Sequence, residues 1–278
     1  LALTQLHFRL RNEDYEHQLG LSARPPAQLG TALEVRAELA GASVRQIQSW
    51  SGRVFAELGT TDLAGWRAWI DYPIDVTRGN GAVRMWSTLI GGEVRRATAD
   101  LALTGVVGRL AKDLPVLEVA SVRGRLHGRK TDHGYEFGGR DLALVSGKGW
   151  EMHATSFLAT YEPAADKRPA RGAVNADLLE LEPLARLAEF LPFPADLRKL
   201  LAELAPQGNL LDARFNWYGE LPDASSFNLK TRFEGLAVNP WRSVPGFTGL
   251  SGSIDASDAK GTLQLAAQNA SLHLPKVF

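Results

Sequence analysis

The sequence lacks cysteine, net charge and long apolar runs, and each shortage excludes a class of protein. Without cysteine, the chain can form neither a disulfide scaffold nor a thiolate metal or catalytic site. Its 31 basic and 31 acidic residues balance, so no net field attracts nucleic acid or an anionic bilayer. No apolar run reaches the roughly 18 residues that a membrane-spanning helix needs. We therefore expect no nucleic-acid partner and no membrane span in these residues.

Motifs for catalysis are also missing. The histidines are scattered without metal-ligand spacing: His7, His17, His127, His133, His153 and His273. The glycines match no phosphate-binding loop, and the segment 249–252 lacks the GxSxG spacing of a serine hydrolase. The sequence therefore predicts a protein that is not an enzyme, with no metal and no cofactor.

Strict alternation of apolar and polar residues is the main positive signal. Phe227, Leu229 and Phe233 share one parity, and Asn228 and Lys230 share the other. Such patterns recur at short intervals, with glycine-rich and asparagine-rich turns between them, and predict about 15 mostly antiparallel strands. Separate strands are predicted over 133–139 and 141–146. The fold class is therefore mainly β, with a few short helices.

Helical periodicity appears clearly in one place, between two blocks of strands. Apolar residues at helical spacing predict helices over 182–190 and 194–204, joined by a stiff proline-containing linker. Shorter helical segments are predicted over 43–50 and 62–70. We expect a first β block at 1–180, a helical hairpin at 181–206, and a second β block at 207–278 that continues the first. The chain reads as a segment of a longer protein.

Many of the predicted strands have one apolar face, and these faces must be shielded from water. If all strands belong to one sheet, a few short helices cannot shield an apolar face roughly 70 Å long. The cover is the sheet folding on itself, another protein chain, or lipid. Parity alone predicts the residues of this face that contact lipid: Leu101, Leu103, Val122, Leu126, Phe137, Phe215, Trp217, Phe227, Leu229, Phe233, Leu263 and Leu265.

A set of short motifs resembles the YhdP-type proteins, which belong with the TamB and AsmA-like proteins of Gram-negative envelopes. The motifs cover residues 170–278, in this order: Leu191-Pro192-Phe193-Pro194, Ala205-Pro206-Gln207-Gly208, Phe215-Asn216-Trp217, the strand 227–238, the run 245–252, and Leu274-Pro275-Lys276-Val277-Phe278. The first 170 residues are compatible through their strand pattern.

The resemblance implies a long, highly curved sheet that forms an open apolar groove, a repeating, taco-like β-groove. It also implies a periplasmic segment of an inner-membrane-anchored protein that conducts phospholipids between the inner and outer membranes. The expected partners are phospholipid acyl chains, the two membranes through parts outside this segment, and other envelope proteins. The alternative from a different class is a structural or assembly scaffold that docks envelope proteins through its β edges and apolar face.

Overall fold

Stretches of alternating sequence form the strands of this protein, and each strand pairs with its neighbours along the chain. The structure is a computed structural model that describes residues 1–42, 44–72, 74–165, 168–221, 224–242, 245–266 and 268–273. The segment 274–278, part of the resemblance above, lies outside these residues.

The strands are β1 (Thr4–Glu13), β2 (Glu16–Arg24), β3 (Leu33–Ala40), β4 (Ser51–Asp62), β5 (Asp75–Ile90), β6 (Glu93–Arg109), β7 (Leu117–Lys130), β8 (Tyr135–Ser146), β9 (Glu151–Glu162), β10 (Arg171–Glu180), β11 (Gln207–Tyr218), β12 (Ser226–Val238), β13 (Gly246–Ser257), β14 (Gly261–Leu265) and β15 (Ser271–His273). The α-helices are α1 (Leu181–Ala188) and α2 (Ala195–Leu204). Two 3-10 segments, Val44–Ser49 and Gly65–Ala68, stand where short helices were predicted.

These strands form one sheet whose order follows the chain from β1 to β14, while β15 pairs with β13. The predicted fold class is confirmed: the protein is mainly β, with one antiparallel sheet and few helices. One detail differs from the sequence prediction. Residues 133–139 and 141–146 are not two strands but the single strand β8, which continues through a bulge at Asp141, where φ is 50°.

Contacts divide the chain into two compact units. Unit 1 contains Leu1–Gly108 and Leu117–Gly149, and unit 2 contains Arg109–Val116 and Trp150–Phe278. Apart from Arg109 at the end of β6, strands β1 to β8 belong to unit 1, and β9 to β15 with both α-helices belong to unit 2. The segments predicted from the sequence, 1–180, 181–206 and 207–278, stay a prediction.

Small clusters of aromatic side chains close the strand ends of unit 1. At one end, the buried Trp66 donates its indole N–H to the Leu29 carbonyl at 3.0 Å and to Thr61 Oγ1 at 2.7 Å. At the other end, the buried Trp50 stacks on His17, with ring centroids 4.1 Å apart. Both clusters hold loops against the sheet.

Candidate functional site

Unit 2 presents one apolar face that crosses six strands. Residues paired directly across neighbouring strands share a face, and one row from β9 to β14 consists of Ala159, Val174, Phe215, Leu229, Ala256 and Gly261. Five strand spacings of about 4.8 Å give this row a length of about 24 Å. Over this part of the sheet, the described residues on this face include no Asp, Glu, Lys, Arg or His.

All seven residues that parity predicted in the C-terminal third lie on this apolar face. Phe215 and Leu229 belong to the row above, Trp217 pairs with Phe227, and Leu263 pairs with Ile254. Phe233 and Leu265 both pair with Gly252, one from each side. The register therefore brings together Phe215, Trp217, Phe227, Leu229, Phe233, Leu263 and Leu265.

These seven side chains differ in how far the protein itself covers them. Leu263 and Leu265 are 58% and 56% exposed, and Phe227 is 37% exposed. Phe215 and Leu229 are partly exposed. Trp217 and Phe233 are only 8% and 5% exposed. On this face, the protein therefore covers two aromatic side chains, those of Trp217 and Phe233, whereas the leucine side chains of β14 are exposed.

Glycine leaves space on the sheet beside both buried rings. A Cβ added to Gly172 would lie 2.1 Å from Cζ2 of Trp217, whereas one added to Gly252 would lie 1.9 Å from the Gln264 carbonyl oxygen and 3.1 Å from Cζ of Phe233. Both glycines are the direct cross-strand partners of these aromatic residues. Phe215 stacks beside Trp217 with a distance of 5.2 Å between the ring centroids, so the two rings form one continuous aromatic surface.

Unit 1 has an apolar face of the same kind. Its first five strands contribute a row of Phe8, Leu21, Val35, Ala56 and Met85. Phe8 is 57% exposed and Met85 40% exposed, so the protein leaves much of this row uncovered.

The five predicted residues of the first block lie on the apolar side of β6, β7 and β8. Leu103 pairs with Val122, Leu126 with Ala99, and Leu101 with Gly124. Phe137 pairs with Gly128, two positions from Leu126. The opposite side of β7 carries Arg125, whose guanidinium lies 5.5 Å from the Trp86 ring on the opposite side of β5. The apolar side is therefore common to all eight strands of unit 1.

A family model described as YhdP protein matches residues 1–278, the whole chain. The chain belongs to the YhdP family. This family is AsmA-like and is a family of the bacterial envelope. No curated protein and no solved structure matches the chain.

The other face of this YhdP-family chain is charged, and its ions are paired across strands. In unit 1, Arg125 donates two hydrogen bonds to Asp100, at 2.5 and 2.8 Å. These bonds and the positive charge of Arg125 lower the pKa of Asp100. Arg84 and Glu57 form a second pair, at 2.9 Å. Pairs this exposed contribute little to stability, but they keep the face polar.

The sequence analysis left several members of the unit 1 face out of the predicted lipid contacts. Phe8, Leu21, Val35 and Met85 line up across strands, but their alternation is the same as that of a strand in a closed core. The glycines opposite Trp217 and Phe233 were also missed. A signal was present, because Gly172 and Gly252 both stand at apolar positions of alternating strands.

Neither a metal centre nor a membrane-spanning helix was found in the described part of the chain. It contains no group of three His, Asp or Glu side chains that could hold a metal ion. Within the same residues, no helix is long and apolar enough to cross a membrane. The expectations that the protein is not an enzyme and uses no cofactor stay predictions.

Proposed function

We propose that this chain conducts phospholipids, with acyl chains lying on its apolar faces and headgroups in water. The observation that carries the proposal is the partly uncovered apolar face of unit 2, which crosses six strands with no charged side chain among the described residues and includes the exposed Leu263 and Leu265. The YhdP family match supports it, because the family is AsmA-like and belongs to the bacterial envelope.

The energetics favour weak, reversible binding of an acyl chain on the apolar face. Full burial of a methylene group is worth about 0.8 kcal/mol, so contact on one side is worth about 0.4 kcal/mol. An acyl chain of about fourteen methylenes would gain about 6 kcal/mol on this scale, enough for reversible binding. Trp217 packs directly against the backbone of Gly172, and Phe233 is also largely buried, so a lipid would contact mainly the more exposed apolar side chains of the face. Since the described residues of this face include no charged side chain, a lipid can move along it without crossing a charge.

We place this segment in the periplasm, in a protein anchored in the inner membrane, as part of a bridge that carries phospholipid between the two membranes. The proposed partners are phospholipid acyl chains, both membranes through other parts of the protein, and envelope proteins. No catalytic step is needed, since the lipid changes only its location.

The test uses two adjacent, exposed positions on opposite faces of β14. A photoreactive benzoylphenylalanine replaces Leu263 in one variant and Gln264 in the other. Each variant is illuminated with vesicles of phosphatidylethanolamine and phosphatidylglycerol, and attached lipid is detected by mass spectrometry. We expect lipid on the Leu263 variant and at most one tenth as much on the Gln264 variant. Equal labelling of both faces, or none, would contradict the proposal.

A second candidate function is a scaffold for envelope proteins, and the exposed apolar side chains of β1 favour it. Every residue of β1 is exposed, including Leu6, Phe8 and Leu10. A row of exposed apolar side chains is a common docking surface for another protein. In cells, crosslinks from Phe8 and Leu263 to one protein, without lipid, would favour the scaffold over the lipid conduit.

A further inference from the structure

The charged face of unit 2 contains a concavity of about 860 Å³ between β11 and β14. Arg214, Lys230, Asp255 and Thr262 form one cross-strand row of its floor. This row alternates with the apolar row of Phe215 and Leu229, so the concavity opens on the side of the sheet opposite the apolar face. An acyl chain on the apolar face therefore does not occupy it.

Among the described residues, four cations and two carboxylates line this concavity. Lys230 binds Asp255 at 2.8 Å, and Arg232 binds Asp212 at 2.6 Å. Arg214 and Lys260 have no ion-pair partner among the described residues. The lining thus carries two uncompensated positive charges.

Arg214 is the cation of this row that no described carboxylate balances, since Asp255 binds Lys230. Its direct cross-strand partner is Lys230, and like charges in such pairs destabilise a sheet. An anion bound between them would remove this repulsion. The guanidinium of Arg214 also offers a planar fork of donors that matches phosphate oxygens in two parallel hydrogen bonds.

The rest of the lining suits hydroxyl groups. Asn228, Ser253, Thr262 and Gln264 supply neutral amide and hydroxyl groups around the cations. These side chains can both donate to and accept from an alcohol. The volume also far exceeds what a phosphate group alone would fill.

We propose that this concavity binds a phosphate ester of a polyhydroxylated molecule. Soluble sugar phosphates have this chemistry, and so does the glycerol phosphate headgroup of an anionic lipid in a bilayer. The phosphate lies between Arg214 and Lys230, Lys260 adds a third positive charge to the lining, and the hydroxyl groups meet the neutral side chains. This binding is separate from the lipid path, because it uses the opposite face of the sheet.

The first experiment measures binding of three probes to the 278-residue chain by isothermal titration calorimetry. We expect glucose 6-phosphate to bind at least tenfold more tightly than inorganic phosphate, and glucose not to bind detectably. Binding should weaken as salt rises, because the charges are exposed. The proposal is overturned if glucose binds as tightly as glucose 6-phosphate. It is also overturned if the chain binds neither glucose 6-phosphate nor the phosphatidylglycerol vesicles of the flotation experiment described below.

Variants locate the site. Arg214→Gln should weaken glucose 6-phosphate binding at least tenfold and Lys260→Gln about fivefold. The control is Arg171→Gln, which removes a cation from the same charged face outside the concavity, where it binds Glu162 at 2.8 Å. Circular dichroism checks that each variant is folded. Unchanged binding in folded Arg214→Gln would overturn the assignment.

Flotation with vesicles separates the two sources of the phosphate ester. Co-flotation with phosphatidylglycerol but not phosphatidylcholine vesicles, abolished by Arg214→Gln and by excess glucose 6-phosphate, supports the bilayer headgroup. Binding of glucose 6-phosphate without co-flotation supports a soluble sugar phosphate. Neither result depends on lipid labelling at Leu263, so the lipid conduit and this site can fail independently.

Discussion

Trp217 and Gly172 form a cross-strand pair in which the indole occupies the space of the side chain that glycine lacks. A Cβ on Gly172 would approach Cζ2 of Trp217 to 2.1 Å, closer than any packed contact. Trp217 is 8% exposed although it lies on the apolar face that the protein leaves largely open. Because of this pair, the indole of Trp217 packs against the strand backbone instead of standing above it.

Gly172→Ala should therefore lift the indole from the sheet. We expect a loss of about 1–3 kcal/mol in the free energy of unfolding, the usual cost of overpacking. Urea denaturation followed by circular dichroism measures it, and tryptophan fluorescence reports the greater exposure of the indole.

The matched control is Gly128→Ala, which also lies on an apolar face within a strand. Its added Cβ would meet only the Glu136 carbonyl oxygen, at 4.0 Å. This variant should lose no more than about 0.5 kcal/mol. Losses of equal size in both variants would show that the indole contact is not the cause.

Asp212 controls the register of β11 through a left-handed backbone, with φ of 51°. The pairing changes from Arg214 with Lys230 to Leu211 with Arg232 on passing it. A β-branched residue resists this conformation, so Asp212→Val should lose about 1–2 kcal/mol of unfolding free energy, whereas Asp212→Gly should stay near the wild type.

Asp255→Val supplies the comparison for this substitution. Asp255 also lies on the charged face and also pairs with a cation, Lys230, but it occupies a regular strand position. Valine fits that backbone, so we expect a change within about 0.5 kcal/mol. If Asp255→Val were as harmful as Asp212→Val, the loss would come from the ion pairs rather than from the bulge.

His153 and Glu180 form a pH-dependent pair across β9 and β10. The imidazole Nδ1 lies 2.7 Å from Glu180 Oε1, and this hydrogen bond and charge raise the pKa of His153. A raised pKa in the folded state means that the pair stabilises the fold fully below the unfolded value of about 6.5. The stabilisation is lost as the pH rises through the raised pKa.

Titration by NMR checks this prediction. Glu180→Gln should lower the pKa of His153, and Glu151→Gln should lower it less, because the Glu151 carboxylate lies 3.7 Å from Nε2 and makes no hydrogen bond there. The stability difference between wild type and Glu180→Gln should be largest below about pH 6.5 and should shrink as the pH rises through the raised pKa of His153. An unchanged pKa in Glu180→Gln would contradict the pairing.

Alternation in the sequence was sufficient to predict the strands and the residues that share a face. Phe215, Leu229 and the other ten predicted positions lie on apolar faces because side-chain direction in a strand depends on local backbone geometry alone. Their contact with lipid stays a prediction.

Bulges could not be predicted in the same way. Leu211 shares parity with Ala213 and Phe215 in the sequence, yet Leu210 is the residue that pairs with Phe233, because Asp212 inserts one extra position. The pair of strands expected over 133–139 and 141–146 fails for the same reason at Asp141. In the sequence, an aspartate in a bulge cannot be distinguished from a polar residue at a regular position of an alternating strand. Only the register with the neighbouring strand shows which of the two it is.

Because the sheet order follows the chain from β1 to β14, almost every strand depends only on the strands before and after it. Such a sheet resembles a linear polymer of hairpins, as repeat proteins do. Adding or deleting two consecutive strands would preserve the direction of all the others, whereas a change of one strand would reverse every strand that follows. A sheet of this kind can therefore gain or lose one hairpin at a time without the redesign of a shared core, so its length can be adjusted in small steps.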